Sequence, residues 1–126
     1  MLKKGKIYSL EKVVSPSDTA IVVGSGGLEV FSTPSLIAFM EKTAFLCVED
    51  MLEVGSSTVG ISVNTKHLKA NLVGDKLNCT ATLTEIDGRK LYFEIIVTHN
   101  ETIIGSSFHE RFIINKEKFM DKLKKR

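Results

Sequence analysis

The sequence predicts an α+β domain in which an antiparallel sheet wraps around one long central helix. Two observations carry this expectation. One helical apolar pattern runs over residues 35 to about 53, where Leu36, Ile37, Met40, Ala44, Cys47, Val48 and Met51 recur at helical spacing. Nearly everything after Gly55 reads as strands separated by turn residues. A helix with one wide apolar face needs a sheet to cover it.

Taken in order, residues 1–17 read as an irregular arm and residues 19–23 as a first strand. Gly24-Ser25-Gly26-Gly27 is a segment of high backbone freedom, and residues 28–31 are a short extended approach. Ser32-Thr33-Pro34 marks the helix start. Thr33 can cap it, and Pro34 suits the first helical position, where its missing N–H would be unpaired anyway. Gly55 is a stop signal. Residues 58–68 form a strand in which Val59, Ile61 and Val63 alternate with small or polar residues. After the turn-rich Asn71-Leu72-Val73-Gly74-Asp75, residues 76–86 place Leu77, Cys79, Ala81 and Leu83 on one face. Asp87-Gly88 predicts a tight hairpin into residues 91–99, and Asn100-Glu101 the turn into residues 102–114. Residues 116–125 suit a short amphipathic helix carrying Phe119, Met120 and Leu123. Strand, long helix and a four-stranded meander make the hotdog arrangement. Its thin sheet leaves an edge strand, so a homodimer, possibly a tetramer, is the expected assembly.

Composition narrows the function classes. The chain has 126 residues, 43% hydrophobic and 25% charged, which fits a single globular domain and excludes a disordered or collagen-like chain. Cys47 and Cys79 form neither a disulfide framework nor a metal-binding spacing, so a reducing, cytoplasmic setting is expected. No apolar run approaches the ~20 residues that span a bilayer, and no apolar segment of a signal peptide follows the basic start. The net charge of +2 divides into a tail, residues 116–126, with six Lys/Arg and two Asp/Glu, and a body of net −2. With few aromatics and no nucleic-acid motif, this is not the footprint of a nucleic-acid partner.

Three residues stand out. Glu41 falls on the helical wheel among Ile37, Ala44, Phe45 and Val48, where a carboxylate is costly unless it reaches water or a partner. Thr33 is either only a cap or a hydroxyl at a helix start, a natural place for a polarised carbonyl. His67, near a strand end, is either a surface residue or a group suited to proton transfer near neutral pH.

The set Thr33, Glu41 and His67 resembles the hotdog-fold thioesterases related to fluoroacetyl-CoA thioesterase. The segments Val30-Phe31-Ser32-Thr33-Pro34-Ser35-Leu36-Ile37-Ala38-Phe39-Met40-Glu41 and Gly60-Ile61-Ser62-Val63-Asn64-Thr65-Lys66-His67-Leu68 are similar to that family's helix start and substrate-lining strand. Gly74-Asp75-Lys76-Leu77 and His109-Glu110-Arg111-Phe112 resemble its following turn and last strand. The resemblance implies hydrolysis of a small acyl-CoA to the acid and free coenzyme A, with coenzyme A entering only as part of the substrate and no metal or redox cofactor. It implies Thr33, Glu41 and His67 as catalytic residues, with Glu41 either orienting His67 or attacking as a nucleophile. It also implies Gly60 as a point of close backbone approach to the acyl group or thioester, and Arg111 as a basic residue meeting coenzyme A. Lys66, Lys69 and the tail lysines are further candidates to face its phosphates. Family members that discriminate fluorine place aromatic residues in a lid where this chain has Gly24-Ser25-Gly26-Gly27. The alternative reading is a hotdog protein that binds acyl-CoA or another small ligand without turnover.

Overall fold

A computed structural model describes residues 1–126. Five strands, β1 (Ile7–Val13), β2 (Ser56–His67), β3 (Lys76–Asp87), β4 (Lys90–His99) and β5 (Thr102–Asn115), form one antiparallel sheet in the order β1-β3-β4-β5-β2. Three helices accompany it: the single turn α1 (Ala20–Val23), the central α2 (Thr33–Glu49) and the terminal α3 (Lys116–Lys124). No helix is long and apolar enough to cross a membrane.

The core follows the sequence periodicities. Leu36, Met40, Ala44, Cys47 and Val48 of α2 are buried against Leu77, Cys79, Ala81 and Leu83 of β3 and Leu91, Phe93, Ile95 and Val97 of β4. Successive strand residues face opposite sides, so these alternating sets form one continuous apolar floor. The expected turns are present: Gly88 has φ 61°, and Asn100 and Glu101 have φ 47° and 67°. Hairpin turns that match the strand twist need this left-handed backbone at both loop residues, as at Asn100 and Glu101, or at the first alone, as at Gly88.

Two expectations for the first 23 residues fail. Residues 1–17 are not an irregular arm, because β1 pairs with β3 along its whole length. Its apolar residues lie on both faces: Tyr8 and Leu10 pack toward the core, while Ile7 and Val13 are exposed. That distribution blurs the period-2 signal. Residues 19–23 are not a strand. Thr19 bridges Phe31, the Ala20 N–H donates to the Val30 carbonyl, and the chain then makes the single turn α1. Gly24, at φ 91°, closes that turn by donating its N–H to the Ala20 carbonyl. The β-branched run 21–23 is left exposed, so tertiary pairing on either side overrides its strand propensity.

Helix and sheet meet closely at Gly105 of β5. A Cβ there would lie 2.9 Å from Leu36 Cδ2 and 3.2 Å from Met40 Cε. Both side chains are fully buried and have little room to retreat. Gly105→Ala is expected to cost about 1–3 kcal/mol of stability by overpacking, measurable by chemical denaturation.

Candidate active site

The start of α2 differs from expectation in one consequential way. Ser32, not Thr33, is the cap: its Oγ accepts the Ser35 N–H at 3.2 Å, and Thr33 is the first helical residue. The Thr33 hydroxyl is therefore free of capping, and its Oγ1 lies 2.9 Å from Nδ1 of His67 at the end of β2. The Phe31 ring meets His67 edge to face, with centroids 6.3 Å apart. Nε2 of His67 is buried and has no partner. Burial holds the His67 pKa below its ordinary value, against a smaller opposing effect of the nearby Lys69 backbone carbonyl. The imidazole is thus neutral near pH 7, with Nδ1 held by Thr33 and Nε2 buried and uncommitted. An open cleft of about 300 Å³ lies beside this pair, lined by Ala20, Phe31, Thr33, His67, Lys69 and Ala70 among others.

The helix start itself offers few free amides. Pro34 has none, and the Ser35 and Leu36 N–H groups are bound to the Ser32 side chain and carbonyl. Little beyond the Thr33 N–H is left to meet an oxyanion.

Glu41 belongs to a second cluster. Its Oε2 is 3.6 Å from Nη1 of Arg111, and its side chain is 39% exposed. Gly60 of β2 provides the seat for this carboxylate, because a Cβ there would lie 2.5 Å from Oε2. Arg111 is buried, not presented at the surface toward a nucleotide. Its Nε donates to Thr58 Oγ1 at 2.8 Å, its Nη2 to the Thr58 carbonyl at 2.9 Å, and its Nη1 to Nε2 of His109 at 3.2 Å. The guanidinium also lies over the Phe45 ring, 5.7 Å from its centroid.

The structure therefore brings Thr33 and His67 together, and Glu41, Gly60 and Arg111 together, as two groups. Glu41 lies eight residues along α2 from Thr33, about 12 Å of helix rise. Gly60 and His67 are separated by seven residues of β2, on the order of 20 Å of strand. Within one protomer Glu41 does not reach His67. Lys69 lines the cleft beside His67, and Lys66 is exposed. The sequence reading missed His109. Its signal was the spacing His109-Glu110-Arg111, which places His109 and Arg111 on one strand face.

Neither cysteine is an activated nucleophile. Both are buried, desolvation raises the Cys47 thiol pKa, and the Cys79 thiol is pushed up to about 11.

The buried His109 and the half-buried His67 give a pH prediction. Burial lowers both His67 and His109 below 6.5; at His109 it outweighs the opposing hydrogen bond to the Ser62 carbonyl, and the neighbouring Arg111 cation adds to the lowering against smaller opposing effects of Glu41 and Glu110. The unfolded chain takes up protons on these residues at a pH where the folded chain does not. Their contribution to stability is full above the unfolded pKa and is lost as pH falls through the folded values. Tm is expected to fall between about pH 7.5 and about pH 5.5, and His109→Gln to flatten that slope in a thermal denaturation series.

Comparison with known proteins adds an independent line. The family model for fluoroacetyl-CoA-specific thioesterase matches residues 14–117. The fluoroacetyl-CoA thioesterase of Streptantibioticus cattleyicolor is 31% identical over 98 residues, which cover 78% of this chain and 70% of that protein. The crystal structure of the fluoroacetyl-CoA thioesterase FlK superposes with a TM-score of 0.93 at 26% identity, covering 100% of this chain and 98% of that one. A hot-dog-like protein from Thermanaerovibrio acidaminovorans shares the fold, with a TM-score of 0.91 at 20% identity over 99% of this chain and 93% of that one.

Proposed function

The chain belongs to the fluoroacetyl-CoA-specific thioesterase family, and we propose that it hydrolyses a small acyl-CoA thioester at a site completed by two copies of itself. Hydrolysis of a CoA thioester is the activity that membership carries. The observation that carries the site is the Thr33–His67 hydrogen bond at 2.9 Å with the second imidazole nitrogen buried and unpartnered. Thr33 fixes the ring while leaving Nε2 to exchange a proton with substrate or water. The hydroxyl can donate to Nδ1 or accept from it. Nε2 is accordingly a base in one tautomer and a donor in the other, which suits activation of water and protonation of the departing thiolate.

Glu41 acts on the thioester rather than on His67. The imidazole already has its orienting partner in Thr33, and a carboxylate on Nε2 would occupy the one reactive nitrogen. Glu41 is left to attack the thioester carbonyl or to direct the water that does. Arg111 serves at this acyl end, charge-stabilising the carboxylate, while Lys69 is placed for the anionic part of coenzyme A.

The separation of the two clusters supports a homodimer. β2 is an edge strand, and Ile61 and Val63 on it are 50% and 39% exposed. An exposed, partly apolar edge of 12 residues is a template for a second chain. Pairing β2 with its two-fold copy runs the strands antiparallel. The His67 end of one chain is thereby carried toward the Glu41 and Gly60 region of the other.

The acyl group is small and need not be fluorinated. The Gly24-Ser25-Gly26-Gly27 segment beside the cleft carries no aromatic side chain to contact a fluorine substituent. A variant of FlK has been crystallised with acetyl-CoA. The test is hydrolysis of a panel from acetyl-CoA and fluoroacetyl-CoA to longer acyl-CoAs. Turnover is expected to be greatest for short chains, without strong preference for fluoroacetyl-CoA. If no acyl-CoA is turned over above background while acyl-CoA still binds, the protein is a binding module instead.

A further inference from the structure

We infer that His109 is a positioning residue for Glu41, acting through Arg111. The inference rests on the thioesterase reading, in which Glu41 meets the substrate. His109 lies on β5, opposite Val63 of β2, and is 1% exposed. Its Nδ1 is 2.8 Å from the Ser62 carbonyl, which can only accept, so Nδ1 carries the proton. Its Nε2 is 3.2 Å from Nη1 of Arg111, which can only donate, so Nε2 is the acceptor. Both contacts require the same neutral tautomer, and a second positive charge beside Arg111 in this buried place would be unfavourable.

This arrangement determines what Arg111 can offer Glu41. Nε and Nη2 are both held by Thr58, one through its side chain and one through its carbonyl. His109 holds Nη1, leaving Glu41 Oε2 at 3.6 Å rather than in a tight ion pair. The guanidinium leaves the carboxylate loosely held and partly exposed. Ser62, the backbone partner of His109, flanks the irregularity in β2 between Gly60 and Ser62. A Cβ at Gly60 would lie 3.3 Å from His109 Cε1 and 2.5 Å from Glu41 Oε2. One imidazole therefore braces the bulge, the glycine seat and the arginine together. A purely structural filler of this pocket would need neither a donor toward Ser62 nor an acceptor toward Arg111.

Without the His109 acceptor, Nη1 is released to close onto Glu41, drawing the carboxylate away from the thioester. The experiment compares His109→Leu and His109→Gln in the intact protein with a short acyl-CoA the parent hydrolyses. Leu fills the space but accepts no hydrogen bond, whereas the Gln side-chain oxygen can accept from Nη1. His109→Leu is expected to lower kcat by at least about tenfold with KM within about twofold, and His109→Gln to recover most of the loss. Thermal denaturation of both variants reports their folding. Parent-like kcat in a folded His109→Leu protein overturns the inference, as does His109→Gln being as slow as His109→Leu at equal Tm. Should His109→Leu not fold, His109→Gln decides the matter alone: parent-like kcat and KM are expected, and a tenfold loss of kcat in a folded protein overturns the inference. Failure of the thioesterase reading is separate, since the parent itself would then hydrolyse no acyl-CoA.

Discussion

Glu41→Gln is expected to reduce kcat by about 10³-fold, and mixing it with His67→Ala in one refolded sample is expected to return roughly a quarter of the parent rate. The amide keeps the size and hydrogen bonding of the side chain but removes its charge, so loss of rate reports chemistry rather than packing. His67→Ala removes the proton-transfer group and is expected to be comparably slow. The recovery follows from the separation between the two clusters. If each site takes Glu41 from one copy and Thr33 with His67 from the other, a mixed dimer contains one doubly damaged site and one intact site. Random reassortment makes roughly half of all dimers mixed, and half of their sites work. Steady-state hydrolysis after co-refolding measures this directly. A mixture no faster than either variant would place each site within one chain and would remove the shared-site proposal.

Gly60→Ala is expected to lower kcat by about 10²-fold while moving Tm by only a few degrees. The added Cβ would sit 2.5 Å from Glu41 Oε2, so the carboxylate must move. It is the far end of a flexible, partly exposed side chain and can retreat toward solvent at little cost in stability. Displacing a reacting group by about 1 Å is enough for a loss of that size. Parallel measurement of kcat and Tm separates the two effects. A large fall in Tm with unchanged kcat would show that the glycine serves the fold rather than the carboxylate.

Much of the site was legible in residue type and spacing. Glu41 was conspicuous as a carboxylate on an apolar helical face, and the structure answers that cost with Arg111 and partial exposure. Thr33 was read as the cap, yet Ser32 takes that role. Adjacent hydroxyl residues are equivalent to a propensity argument, and only the backbone path into the helix distinguishes them. The resemblance of His109-Glu110-Arg111-Phe112 to the family's last strand implies Arg111 as a residue meeting coenzyme A, yet within one protomer it is buried. It is held there by His109, two residues along the same strand, and by Thr58, which pairing between β2 and β5 brings beside it from 53 residues away. His109 was passed over because an isolated histidine has no meaning in sequence until its two acceptor and donor neighbours are known.

Local pattern accounts for the helix, the three-stranded meander β3-β4-β5 and the apolar faces between them, whereas β2, expected as the first strand of a four-stranded meander, pairs with β5 at the far edge and leaves the place beside β3 to β1. That pattern is one of periodicity and turn chemistry, which are local properties of the chain. The sequence by itself also determined which residue types were available for acid–base work. Only the tertiary pairings make residues 7–13 one of the two edge strands while residues 19–23 coil into a helical turn, because pairing with β3 and with Phe31 outweighs weak local preferences. Tertiary structure alone decided the grouping of the site. Thr33 bonds His67, while Glu41 rests on Gly60 beside Arg111, because α2 meets β2 at two places, eight helix residues and seven strand residues apart, farther than a side chain can span.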